Sequence, residues 1–133
     1  MDRKKFFKEF NGNPGITPED LAEAKPSKRV PQEYLDFLRT LNGGNGFIGG
    51  EYIELFKAEE LNQINEKYAA HEHVPGIYLI GSNGSGEALA IDSREGSNAY
   101  ILISFLFEES SIIKLGEDLE EFFERIYSHG FFE

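Results

Sequence analysis

The chain has 133 residues, 40% of them hydrophobic and 14% aromatic, with 24 acidic residues against 13 basic ones and a net charge of −11. That is the length of one domain able to bury its own core without a metal or a disulfide, and the absence of cysteine excludes a disulfide framework and any thiolate metal site. Residues 1–30 carry +2 and residues 31–133 carry −13, a field that repels nucleic acid and anionic lipid and draws in basic partners.

Residues 1–10 can form a short helix with Phe6, Phe7 and Phe10 on one side. Charges interrupt every apolar run there, so no signal peptide is read and cytoplasmic residence is the expectation. Asn11-Gly12-Asn13-Pro14-Gly15 breaks the chain and sets residues 1–16 apart as an N-terminal arm. Thr17-Pro18-Glu19-Asp20 has the hydroxyl cap, early proline and acids of a helix start, and Lys25-Pro26 ends that helix. Pro31 opens another helix, in which Tyr34, Phe37, Leu38 and Leu41 face inward while Glu33, Asp36 and Arg39 stay wet. Asn42-Gly43-Gly44 reads as its stop, and Asn45 to Gly50 as a glycine-rich loop holding Phe47 and Ile48.

Glu51 to Phe56 reads as a strand, and Ala58 to Tyr68 as a helix through Leu61, Ile64 and Tyr68. Ile77–Ile80 and Ala88–Ile91 are strands of a hairpin joined by Gly81 to Glu87. Tyr100–Ile103 is apolar on both faces, as a central strand would be. That stretch, resumed by Phe105-Leu106-Phe107, is too short to span a bilayer. Ser111–Leu115 makes another strand, and residues 117–127 a last helix with Leu119, Phe122, Phe123 and Ile126 in one stripe opposite four glutamates. This order indicates an α+β fold: a single domain over residues 1–133 whose antiparallel or mixed β-sheet is flanked by helices.

The candidates for chemistry are thin. Gly81 to Gly86 has the spacing G-x-x-G-x-G and is followed by Glu87 and a strand, so it lacks the helix N-terminus that a dinucleotide loop uses. His71 and His73 could face one way, but two ligands do not complete a site, and solvated loop histidines are the simpler reading. Adjacent carboxylates such as Glu120-Glu121 diverge by about 100° on a helix and do not converge on a bond. No catalytic residue, metal or cofactor is expected, and the protein is expected not to be an enzyme.

Val30-Pro31-Gln32-Glu33-Tyr34-Leu35-Asp36-Phe37-Leu38, followed by Leu41-Asn42-Gly43-Gly44 and a Gly-Phe-Ile segment, resembles the opening signature of the SUKH superfamily. Glu60 to Asn65 with Tyr68, the glycine-rich stretch Pro75 to Asp92, and Lys114-Leu115-Gly116 with Leu119 to Phe123 are similar to its later elements in the same order. The likeness covers residues 17–127. The linker Lys25 to Arg29 departs from it and leaves the helix boundary there open.

The resemblance implies a sheet flanked by helices. It also implies an intracellular immunity protein, which binds and neutralises the catalytic domain of a contact-delivered toxin, often a nuclease. The alternative within the family is a regulatory or scaffold protein with an unknown intracellular partner. By resemblance the binding face includes Asn42, Gly43, Gly44, the hairpin with Gly81, Asn83, Gly86 and Glu87, and Asp92. The glycines have a second reading, since turns require them in any case. Phe47 and Ile48 would be apolar anchors in an acidic surround. A basic toxin domain is the expected partner, nucleic acid and membrane are not, and the protein is expected to be a monomer or weak dimer.

Overall fold

The structure is a computed structural model and describes residues 1–94, 96 and 98–132. Asp2 caps a single helical turn, α1 (Arg3–Phe6), accepting from the Lys5 N–H at 3.0 Å. The expected helix over residues 1–10 stops there because Glu9–Pro14 is a strand, β1, paired antiparallel with the next strand. The predicted break at residues 11–15 is thus largely sheet edge. Pro14, which cannot donate, sits at the strand's end after a register shift, where an edge strand tolerates it. Residues 1–16 therefore belong to the fold, with Phe6 and Ile16 in the core.

Helix α2 (Pro18–Ala24) begins where expected, with the Thr17 hydroxyl accepting from the Asp20 N–H at 3.1 Å. Helix α3 (Gln32–Leu38) buries Tyr34, Phe37 and Leu38. The helix stop and glycine-rich loop expected after it are instead one strand, β2 (Leu41–Ile48), lying between β1 and β3 (Glu51–Leu55). A glycine run can end a helix, but it also lets backbones approach closely, and here the ladders on both sides satisfy its backbone groups. Two residues, Gly49 and Gly50, turn β2 into β3, with Ile48 opposite Glu51 and Phe47 opposite Tyr52.

The chain then forms α4 (Ala58–Tyr68) and a short α5 (Ala70–His73) before β4 (Ile77–Ser82), β5 (Glu87–Asp92) and β6 (Ala99–Ser104). A 3-10 turn at Glu109–Ser111 leads to β7 (Ile113–Gly116) and α6 (Leu119–His129). The seven strands among the described residues make one antiparallel sheet in the order β1-β2-β3-β4-β5-β6-β7, so the fold is α+β as the patterns indicated. β6 is buried on both faces, although it is next to the edge rather than central. The hairpin loop is shorter than expected: Gly81, Ser82 and Glu87 lie in strands, leaving residues 83–86 as the turn.

An aromatic layer packs α3, α6 and α1 on the side of the sheet that bears Tyr100. Phe37 and Phe123 lie 5.4 Å apart, Tyr100 stacks on Phe122 at 5.0 Å, and Phe6 and Phe7 close over Phe123. Glu33, expected to be merely wet, accepts from the Tyr100 hydroxyl at 2.7 Å and from the Leu119 N–H at 3.1 Å, tying α3 to the start of α6.

The sheet is weakest in its middle. β3 and β4 share only the pairs Glu54↔Ser82 and Leu55↔Gly81 before β3 leaves for α4. They approach so closely there that a Cβ on Gly81 would lie 2.3 Å from the Glu54 carbonyl oxygen. Beyond that point the Phe56 N–H still donates to the Ile80 carbonyl at 2.9 Å, and Asn65 of α4 takes over the ladder. Its Oδ1 accepts from the Leu79 N–H at 2.7 Å, and its Nδ2 donates to the Leu79 carbonyl at 3.0 Å.

Removing that amide strands two backbone groups of an interior strand. Asn65→Ala should cost about 1–3 kcal/mol, read as a lower urea midpoint at unchanged slope, whereas Asn45→Ala on the solvent side of β2 should change stability by no more than about 0.5 kcal/mol. Equal effects of the two would contradict the role given to Asn65.

Candidate functional site

Side chains alternate across a strand, so the register decides which residues share a face. On the first half of the sheet, Glu9, Phe47 and Tyr52 form one row across β1, β2 and β3, and Asn11, Asn45 and Glu54 form the next. All six are exposed, while Ile53 and Leu55 point into the core. Phe47 is 49% exposed and Tyr52 40%, and their rings meet edge to face at 5.8 Å. The face is thus an aromatic pair bordered by two carboxylates and two amides.

The β4–β5 hairpin leans on this face. A Cβ on Gly84 would lie 3.2 Å from the Tyr52 ring, and the Gly86 carbonyl accepts from the Phe105 N–H at 3.0 Å. Past the hairpin, the face opens into a groove of about 270 Å³ between α4 and the sheet. Glu54 and Ser82 supply its sheet side, and Phe56, Ile64, Lys67, Tyr68 and Phe105 its walls. Tyr68 and Phe105 lie 5.1 Å apart, and Leu106 beside them is 79% exposed. Phe107 follows in the left-handed region at φ 55°, an uncommon conformation for a bulky residue, with its ring stacked on His73 at 5.3 Å.

The residues singled out from the sequence are scattered against this surface. Phe47 lies on it, but Ile48, one residue on, points the other way and is 0% exposed, so it packs the core instead of offering an anchor. Asn42 is buried and acts at a distance as the cap of α4, since Lys57 before that helix has no acceptor to offer. Its Oδ1 accepts from the Ala58 N–H at 2.8 Å, and its Nδ2 donates to Glu59 at 2.8 Å, holding the Glu59 carboxyl below its usual range. Gly43 and Gly44 are β2 backbone, and Gly81 is buried in the β3–β4 seam.

Asn83 is the keystone of the hairpin turn. Its Oδ1 accepts from the Ser85 N–H at 2.9 Å and the Glu87 N–H at 3.2 Å, and its Nδ2 donates to the Glu87 carboxylate at 2.8 Å. Gly86 is at the exposed tip beside them. Asp92 ends the same strand that Glu87 begins, which puts the two about 17 Å apart, and their odd spacing points them to opposite faces. Asp92 is moreover held by Arg94, which donates to it at 2.9 and 3.0 Å and also bonds Glu109. Partial burial works against the Asp92 charge, but those bonds outweigh it and keep the carboxyl below its ordinary range.

Sequence reasoning missed Tyr52, Glu54, Tyr68 and Phe105. The signal was present in Gly49-Gly50, a two-residue hairpin turn that puts Phe47 and Tyr52 opposite each other, with Glu54 two residues along the same face.

The histidines are more engaged than solvated loop residues would be. His71 and His73 belong to α5, and His71 accepts from the Gly76 N–H at 2.9 Å and bonds the Arg29 guanidinium. Among the described residues no group of three or more histidines and carboxylates is placed to hold a metal. Burial pushes the Tyr78 hydroxyl up to about 12 and those of Tyr34 and Tyr100 higher still, so all three remain neutral at any physiological pH. No described helix is long and apolar enough to cross a membrane.

The family model described as the SMI1 / KNR4 family (SUKH-1) matches residues 15–125, which include every element from α2 to β7 and the first part of α6. No curated protein matches the chain.

The Asp92–Arg94 pair has a pH signature. Because the folded Asp92 carboxyl titrates below its unfolded value, its contribution to stability is complete above the unfolded carboxylate pKa and disappears as pH falls through the folded one. Arg94→Gln should raise the Asp92 titration midpoint seen by NMR and remove that part of the acid dependence. An unchanged Asp92 titration would show that Arg94 does not hold it.

Proposed function

Because the chain belongs to the SMI1 / KNR4 family (SUKH-1), we propose that it is a cytoplasmic immunity protein that binds the catalytic domain of a toxin, a nuclease in the first instance, and blocks it by contact. The observation that carries this reading is the open face of β1–β3, where Phe47 and Tyr52 stand among Glu9, Glu54, Asn11 and Asn45. An aromatic centre with a charged rim is the composition of a protein-binding hot spot. A nuclease must present a basic surface to its substrate, and a chain of net charge −11 can occupy such a surface in place of nucleic acid. Blocking requires no chemistry, cofactor or metal from this chain. The binding surface proposed is Phe47, Tyr52 and Glu54, with the hairpin tip at Gly86 and Glu87 on its border. Asn42, Gly43, Gly44, Ile48, Gly81 and the buried Asn83 support it from within, and Asp92 lies outside it.

Co-expression with any toxin-like domain found in an adjacent gene tests the reading, with growth scored first and binding kinetics measured on variants that fold. Phe47→Ala and Tyr52→Ala should each weaken the complex about 30-fold or more through faster dissociation. Glu54→Lys should slow association and blunt its dependence on salt. Glu120→Lys on the outer side of α6 should leave protection intact. Full protection by all three variants of the sheet face would move the interface elsewhere. Failure of the wild-type chain to bind or protect would favour a regulatory or scaffold role.

A further inference from the structure

We propose that the groove between α4 and the sheet receives an arginine side chain from the protein partner, with the guanidinium between the Tyr68 ring and the Glu54 carboxylate. This rests on the reading of the chain as a binding protein and assigns the chemistry of one contact. The groove is lined by apolar walls, Phe56, Ile64 and Phe105, suited to a methylene stem. At its sheet side stands Glu54, exposed and in no ion pair among the described residues.

The aromatic wall already has a cation on it: the Lys67 ammonium lies 5.6 Å from the centre of the Tyr68 ring. A ring face that holds the chain's own ammonium can hold a guanidinium. The lining holds one carboxylate, Glu54, and one ammonium, Lys67, so it is the chain's net charge of −11 that favours a basic occupant over an acidic one. Shape selects arginine over lysine, because a planar fork can stack on Tyr68 and bond the carboxylate through two N–H groups at once, whereas an ammonium offers one compact charge. Lys67 would have to swing outward, so it competes with the occupant.

The test needs no toxin. The isotope-labelled full chain is titrated with blocked tripeptides whose central residue is arginine, lysine or citrulline, the last keeping the shape of arginine without its charge. Arginine should shift the amide signals of Glu54, Ile64 to Tyr68 and Phe105 saturably, more tightly than lysine, and citrulline should leave them in place. Glu54→Gln should weaken arginine binding about tenfold, and Lys67→Ala should tighten it, while Glu120→Gln, equal in charge change, should do nothing. Three results would each overturn the assignment: no shift at these residues, equal shifts by arginine and either analogue, or equal losses in Glu54→Gln and Glu120→Gln. A chain that binds the arginine peptide but neutralises no adjacent toxin keeps the groove and loses the immunity reading. One that protects equally well with Glu54→Gln and ignores the peptide does the reverse.

Discussion

Everything in this fold turns on how a seven-stranded sheet stays continuous where two of its strands scarcely pair. β3 and β4 share two residue pairs, and an interior strand with unpaired N–H and C=O groups is costly to bury. The Asn65 amide resolves this by presenting an acceptor and a donor to the same residue, Leu79, as a neighbouring strand would. The helix carrying Asn65 must therefore lie against the seam, and its other amides fix its pose. Asn62 donates to the Ala24 and Lys25 carbonyls at 3.3 and 2.8 Å and accepts from Tyr78 at 2.8 Å, while Asn42 caps its first turn. α4 is thereby joined to α2, β2 and β4 by side-chain amides.

The same arrangement accounts for the exposed surface. The aromatic helices α3 and α6 pack over the side bearing Tyr100, and α4 is committed to the seam. No described helix is left to cover the outer side of β1–β3, so Phe47 and Tyr52 remain in solvent. The backbone beneath this aromatic pair is already fixed in paired strands before any partner arrives, which lowers the ordering cost of contact. Where α4 meets the sheet, the groove is the geometric remainder of the seam, and Glu54, one of the two β3 residues that pair across it, is its unpaired carboxylate among the described residues.

The sequence was legible where periodicity and local chemistry agree. The Thr17 cap, the stripe of α6 and the span of α4 are local features, and each lies where its pattern put it. It was illegible where one residue type serves two geometries. Asn42-Gly43-Gly44 suits a helix end and equally a strand pressed between two others, and only the partners β1 and β3 decide. Asparagine in the interior of α4 was the overlooked signal, since such residues disfavour a helix unless their amides are needed elsewhere. For the site, Phe47 and Ile48 looked equivalent as neighbours in a loop. Once they belong to a strand, alternation sends one to solvent and the other to the core. Glu87 and Asp92 were grouped on one face by the family resemblance, and a six-residue strand separates them.

The central claim is that the uncovered face of β1–β3, with the groove beside α4, is where a protein partner docks. Hydrogen exchange measured on the chain alone and with a toxin domain that it protects against addresses this directly, because it reports the footprint without altering a residue. The account predicts new protection concentrated in residues 45–56, 64–68 and 82–87, with the outer surfaces of α3 and α6 exchanging as before. Protection confined to α3 and α6, with residues 45–56 unchanged, would contradict it.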